Sequence, residues 1–189
     1  MKRSPNHLRL FILCVAFALA IVLPLKAEAV NVDIYSGHGT AGGGAPYSGL
    51  TGSFTSPDIL FATNTGYAWH PFGLGDFGAE ITGFLQVATG GTYNFTLNSD
   101  DGSLLYIDST IVVNNGGPHS PGAASGSAIL AAGLYPFKVE FYEDFGGPSG
   151  VDLYLPEGVI YGTPVPEPFT LALLGLGLLG IAGIRRKVE

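Results

Sequence analysis

Cysteine is almost missing from this chain. Its 189 residues include one, Cys14, and that one lies inside an apolar run near the front. Disulfides and thiol chemistry are therefore excluded from everything beyond that run. Basic residues are nearly as scarce where a folded domain would sit. Of eight Lys and Arg, four lie at or before Lys26 and three are Arg185, Arg186 and Lys187, so only Lys138 falls between residues 30 and 163. Twelve Asp and Glu share that stretch, a formal charge of −11. Such a surface repels a phosphate backbone and excludes nucleic acid as a partner. It suits divalent cations or plain solubility. Sustained apolar spacing near 3.6 residues is also lacking in the middle of the chain, which argues against amphipathic helices there.

Catalytic constellations are missing too. His38, His70 and His119 are scattered singly, and no two share a metal-ligand spacing, so zinc is not expected. No Gly-x-Ser-x-Gly elbow occurs. The adjacent carboxylates Asp100 and Asp101 cannot straddle a glycosidic bond. The chain reads as a non-enzyme.

Both ends look like targeting segments. Lys2, Arg3 and Arg9 precede the apolar run from Leu10 to Leu25, and Ala27 and Ala29 follow as small residues. This is the order of a secretory signal peptide over residues 1–29; the rival is an uncleaved anchor, for which the run falls short of the roughly 20 residues needed to span. At the other end stand Pro166-Glu167-Pro168, the uncharged run Phe169 to Ile184, and then Arg185-Arg186-Lys187. As a helix the run rises about 24 Å against a hydrocarbon core of ~30 Å, so it is a short transmembrane helix, with its basic end in the cytoplasm. The tail, residues 165–189, resembles the PEP-CTERM sorting signal of Gram-negative bacteria that secrete exopolysaccharide. The resemblance rests on Pro166, Glu167, Pro168, the apolar run, and Arg185 and Arg186. It implies an exosortase-type processing enzyme as partner. It also implies export, first as an inner membrane-anchored precursor and then at the cell surface or outside the cell.

Between these ends, short runs rich in β-branched and aromatic residues alternate with Gly, Asn, Asp and Pro. Residues 79–88, 91–99, 103–108, 110–115, 126–132, 134–143 and 151–156 read as strands. In "YNFTL", Tyr93, Phe95 and Leu97 face one way; in "FKVEFYE", Phe137, Val139 and Phe141 do. Seven or more strands at spacings near ten residues predict an all-β antiparallel sandwich over residues 30–158, with a linker at 159–164. One further strand is expected at "VDIYSG", and otherwise long loops before Gly78. Trp69 is expected in the core.

The most informative stretch is "TLNSDDGSLLYID". Asp101-Gly102 between alternating runs is a strong hairpin signal. A turn needs only one Asp, though, and the second adds repulsion unless a cation sits between them. Calcium takes six to eight oxygens, so a tight turn and half of a calcium site both stand as readings. From Val32 to Pro156, most strongly from Ile81 to Leu155, the sequence resembles the PA-14 domain, named after bacterial protective antigen. The pieces that carry it are Thr82-Gly83-Phe84-Leu85, Gly91-Thr92-Tyr93, Ser99-Asp100-Asp101-Gly102-Ser103 and Ala132-Gly133-Leu134-Tyr135-Pro136. The resemblance implies a β-sandwich in which the paired aspartates, Asp100 and Asp101, hold Ca2+ that coordinates sugar hydroxyls. Asp144 stands where the family's adhesin branch has an Asn. It thus implies metal and carbohydrate binding at Asp100, Asp101 and Asp144, with glycans or exopolysaccharide as partner. The alternative is a structural or protein-binding matrix component with neither site.

Overall fold

The computed structural model describes residues 30–42, 46–61, 68–144 and 146–163. The signal peptide expected at 1–29 and the helix expected at 169–184 lie outside the described residues. Within them the protein is all-β: eleven strands in two antiparallel sheets, with a single 3-10 turn at Thr40–Gly42. The strands are β1 (Val30–Tyr35), β2 (Leu50–Ser56), β3 (Leu60–Phe61), β4 (Phe77–Val87), β5 (Gly91–Asp100), β6 (Ser103–Ile107), β7 (Thr110–Asn115), β8 (Gly122–Leu130), β9 (Gly133–Glu143), β10 (Gly150–Tyr154) and β11 (Val159–Gly162). One sheet has seven strands, in the order β2-β1-β4-β9-β6-β7, with β11 on the edge of β4; the other has four, β3-β10-β5-β8.

The predicted alternation builds the core. Tyr93, Phe95 and Leu97 of β5 meet Phe137, Val139 and Phe141 of β9, all buried, together with Ile81, Leu85, Leu105 and Val151. Trp69 joins this core, stacked on Phe61 with centroids 4.3 Å apart, as expected. Burying side chains of this size contributes roughly 1.5–3 kcal/mol each. Two expectations need correction. The region before Gly78 holds β2 and β3 as well as β1. The stretch read as linker, 159–164, supplies β11, because Val159 pairs with Val87 and is buried.

At one seam the two sheets touch. Residue 126 of β8 lies so close to β7 that a Cβ there would stand 1.8 Å from the Val112 carbonyl oxygen. Gly126→Ala is expected to cost about 2 kcal/mol through overpacking, read as a lowered denaturant midpoint with unchanged slope.

Strand β4 also collects the two ends of the fold. Along one edge it pairs with β9 throughout, from Phe77↔Glu143 to Val87↔Gly133. Its other edge is shared: Val30 of β1 pairs with Gly83, and Gly162 of β11 pairs with Phe84. The first and last strands thus run in line, end to end.

Candidate functional site: an acidic corner between the sheets

The Asp-Asp-Gly stretch is not a hairpin tip. β5 pairs with β8 and β10, whereas β6 pairs with β7 and β9, so residues 100–102 carry the chain from one sheet to the other. The local signal was right about a turn and silent about which sheet comes next. A corner between sheets is inside the protein, and Asp101 is only 7% exposed. Gly102 is required here: a Cβ would lie 2.5 Å from the Tyr142 ring and 2.8 Å from the Gly117 carbonyl oxygen. The Asp100–Asp101 peptide bond is cis.

Two buried serines and an asparagine fix this corner. Asn115 Nδ2 donates to Ser99 Oγ at 2.9 Å and to the Gly122 carbonyl at 3.0 Å, and Ser99 Oγ lies 2.8 Å from Ser103 Oγ. Four strands are tied by this network, and a fully satisfied buried network holds a single geometry. Asn115 ends β7 and anchors it.

Asp101 fastens two further loops. Its Oδ1 accepts the main-chain N–H of His119 at 2.9 Å and its Oδ2 that of Asp144 at 3.0 Å. Asp144 therefore meets the pair through its backbone. The carboxylate that converges with Asp100 and Asp101 is Glu143: one ligand oxygen from each lies within 4.8 Å of the other two. Glu143 is 2% exposed. Its Oε1 accepts the Gly147 N–H at 3.0 Å, and its Oε2 has no donor among the described residues. The hydroxyl of the neighbouring Tyr142 is also buried without a partner among them.

The electrostatics follow from this crowding. Burial, then the charges of Asp101 and Asp100, push the Glu143 carboxyl up to about 8 against the opposing Gly147 N–H. Burial and the Asp101 charge raise Asp100 as well, offset in part by His119. Tyr142 is pushed to about 12 by burial and by Asp101, Asp144 and Glu143. His119 turns its ring away from metal duty: Nδ1 faces the Ser120 carbonyl oxygen at 2.8 Å and Nε2 that of Asn115 at 2.9 Å. The donors on offer are therefore carboxylate oxygens, the chemistry of a hard divalent cation.

Comparison with protein families matches residues 36–161 to the PA14 domain. The chain belongs to the PA14 domain family. Residues 164–187 match the PEP-CTERM protein-sorting motif, so the PA14 domain is followed by a sorting signal. That signal marks an exported, surface-directed protein and implies exosortase processing. No curated protein matches the chain. Among solved structures, this PA14 chain is similar to an anti-sigma factor domain-containing protein, with 19% identity and TM-score 0.56 over 69% of this chain and 43% of that one. It is similar to a β-glucosidase from Kluyveromyces marxianus in complex with glucose, with 16% identity and TM-score 0.52 over 75% and 17%. It is also similar to the PA14 sugar-binding domain from an RTX adhesin, with 14% identity and TM-score 0.50 over 67% and 89%. At these identities the likeness is one of fold. The chain spans under half of the first of these proteins and about a sixth of the second.

Proposed function

We propose that this PA14 domain is a non-catalytic binding module that takes up cell-surface or exopolysaccharide glycans through a calcium ion. Asp100, Asp101 and Glu143 would hold the ion, and Asp144 would complete the loop beside it. The observation that carries the reading is the buried carboxylate of Glu143, whose Oε2 has no donor among the described residues and which converges with two more carboxylates. A buried polar atom without a partner costs about 1–3 kcal/mol, more for a charged group. A divalent cation removes that cost and the mutual repulsion together. Calcium suits the site because it accepts six to eight oxygens, so three carboxylates leave positions for sugar hydroxyls. The family's sugar-binding member among the similar structures supports the same class of ligand. The PEP-CTERM tail would keep the precursor in the inner membrane until an exosortase-type enzyme releases or transfers it.

The test is thermal unfolding of the full chain in mild detergent, with calcium, magnesium or a chelator. At a calcium concentration a hundredfold above the dissociation constant, the ion adds about 2.7 kcal/mol, a rise of several degrees. Magnesium, which demands a tight octahedron, gives a smaller rise. If calcium produces no rise, the corner is held by its hydrogen bonds alone and the matrix-component reading takes over.

A further inference from the structure

The acidic corner opens onto an unusual sheet face. On β5 the buried residues Tyr93, Phe95, Leu97 and Ser99 point inward, which places Thr92, Asn94, Thr96, Asn98 and Asp100 on the outer side. Across the register, Thr96 has Ser125 of β8 on one side and Tyr154 of β10 on the other. Asn98 sits between Ala123 and Asp152, and Asn94 faces Ser127. Opposite Asp100 comes Gly150, which adds no side chain over the partly exposed carboxylate.

The polar groups on this face are held in place. Thr96 Oγ1 lies 2.8 Å from Ser125 Oγ, and Ser127 Oγ donates to Asn94 Oδ1 at 2.7 Å. The Tyr154 ring is 51% exposed. Beside it a hollow of about 410 Å³ opens, lined by Leu60, Tyr161 and Asp58. At about 3.3 Å per residue, Asp100 and Thr96 are ~13 Å apart, more than one sugar covers. The charge is as telling as the shape. Lys138, the sole basic residue between 30 and 163, lies on the other sheet and is bound to Glu140 at 2.6 Å and Glu80 at 3.5 Å. The face therefore offers the partly exposed carboxylate of Asp100, with Asp152 buried behind it, and no Lys or Arg for an anionic polymer.

We infer that this outer face is an extended binding platform for a neutral polysaccharide chain, which lies along β5 from the Asp100 corner to the Tyr154 ring. The inference rests on the calcium reading and deepens it. The corner grips one sugar through the ion, the hydroxyl and amide rows match successive sugar hydroxyls, and Tyr154 stacks on an apolar sugar face. The Thr96–Ser125 and Asn94–Ser127 pairs are already tied before the ligand arrives, which lowers the entropy lost on binding.

The experiment is affinity electrophoresis of the full chain in detergent and calcium, in gels carrying dextran, mannan, galactan or alginate. Competition by monosaccharide follows for whichever polymer retards it. A neutral polymer is expected to retard the protein and alginate is not. Tyr154→Ala should reduce the ratio of polymer to monosaccharide affinity about tenfold, and Thr96→Ala combined with Ser125→Ala should act in the same direction. Calcium-dependent melting of each variant shows that it is folded. If Asp100→Asn abolishes retention while neither platform variant changes the ratio, the platform is wrong and the calcium reading stands. Equal retention by alginate also overturns the platform. If no neutral polymer retards the protein, both ideas fall.

Discussion

Replacing Asp101 with alanine is expected to lower the stability of the metal-free protein by about 3 kcal/mol and to abolish its response to calcium. The two effects have separate causes. Asp101 accepts the His119 N–H at 2.9 Å and the Asp144 N–H at 3.0 Å. Hydrogen bonds to a charged group contribute roughly 1.5–3 kcal/mol each, so losing both costs about 3–6 kcal/mol. Against this, the variant removes a carboxylate that repels Asp100 and Glu143. That relief offsets part of the loss and brings the net figure to the lower end. The loops after β7 and β9 lose their common fastener, so their amides should exchange faster while those of β4 and β9 keep their protection. Denaturant melts in chelator measure the first effect and calcium titration the second. A variant as stable as the parent in chelator would mean that these two main-chain bonds carry little. Because Asp101→Ala disturbs the loops as well as the ion, Asp100→Asn is the cleaner probe of calcium alone: Asp100 is partly exposed, and the carboxylate that holds the His119 and Asp144 N–H groups is that of Asp101.

The second large effect concerns pH. Glu143 is pushed up to about 8 in the folded protein from an ordinary 4.5. Between those values the native state holds a proton that the unfolded chain has released. Stability therefore falls as pH rises across that window, and this group adds no further change below 4.5 or above 8. The difference corresponds to at most about 5 kcal/mol at high pH. Asp100, also raised, adds in the same direction at the acidic end. Chelated protein should thus unfold at progressively lower denaturant concentration from pH 5 to pH 9. Glu143→Gln, which mimics the protonated form, should flatten that slope. Calcium should protect more at pH 8.5 than at pH 5.5, since the ion needs the ionised carboxylate. A stability that climbs with pH in chelator would contradict the burial argument for Glu143.

Much of the fold was legible because its strands alternate cleanly. "YNFTL" and "FKVEFYE" each put aromatic and aliphatic residues on one side, and those residues form the shared core. β2 was not legible, since "LTGSFTS" is an edge strand whose side chains are largely exposed and carry no apolar alternation. β11 is only four residues long and gains its place from pairing with β4, which no local pattern announces. At the corner, Asp-Gly marks a change of direction, but the choice between returning to the same sheet and crossing to the other is made by long-range pairing. Glu143 was within reach. Phe137, Val139 and Phe141 face inward, and Glu143 is the next residue of that parity, so the alternation that found the core also aims this carboxylate inside. Asp144 has the opposite parity and reaches the site by its N–H.

The arrangement of β1 and β11 on β4 has a topological consequence. With Val30 and Gly162 opposite consecutive residues, Gly83 and Phe84, the ends of the fold are neighbours on one flank. That flank lies seven residues along β4 from Phe77, the partner of Glu143, or about 23 Å. Joining the two ends with a short bridge would turn β11 and β1 into one continuous strand, and the chain could be reopened at an exposed turn such as Asp108–Ser109 to give a circular permutant with the same core. For the same reason the whole sandwich can be spliced into a surface loop of a host protein without prying that loop apart, leaving its acidic corner at the far tip.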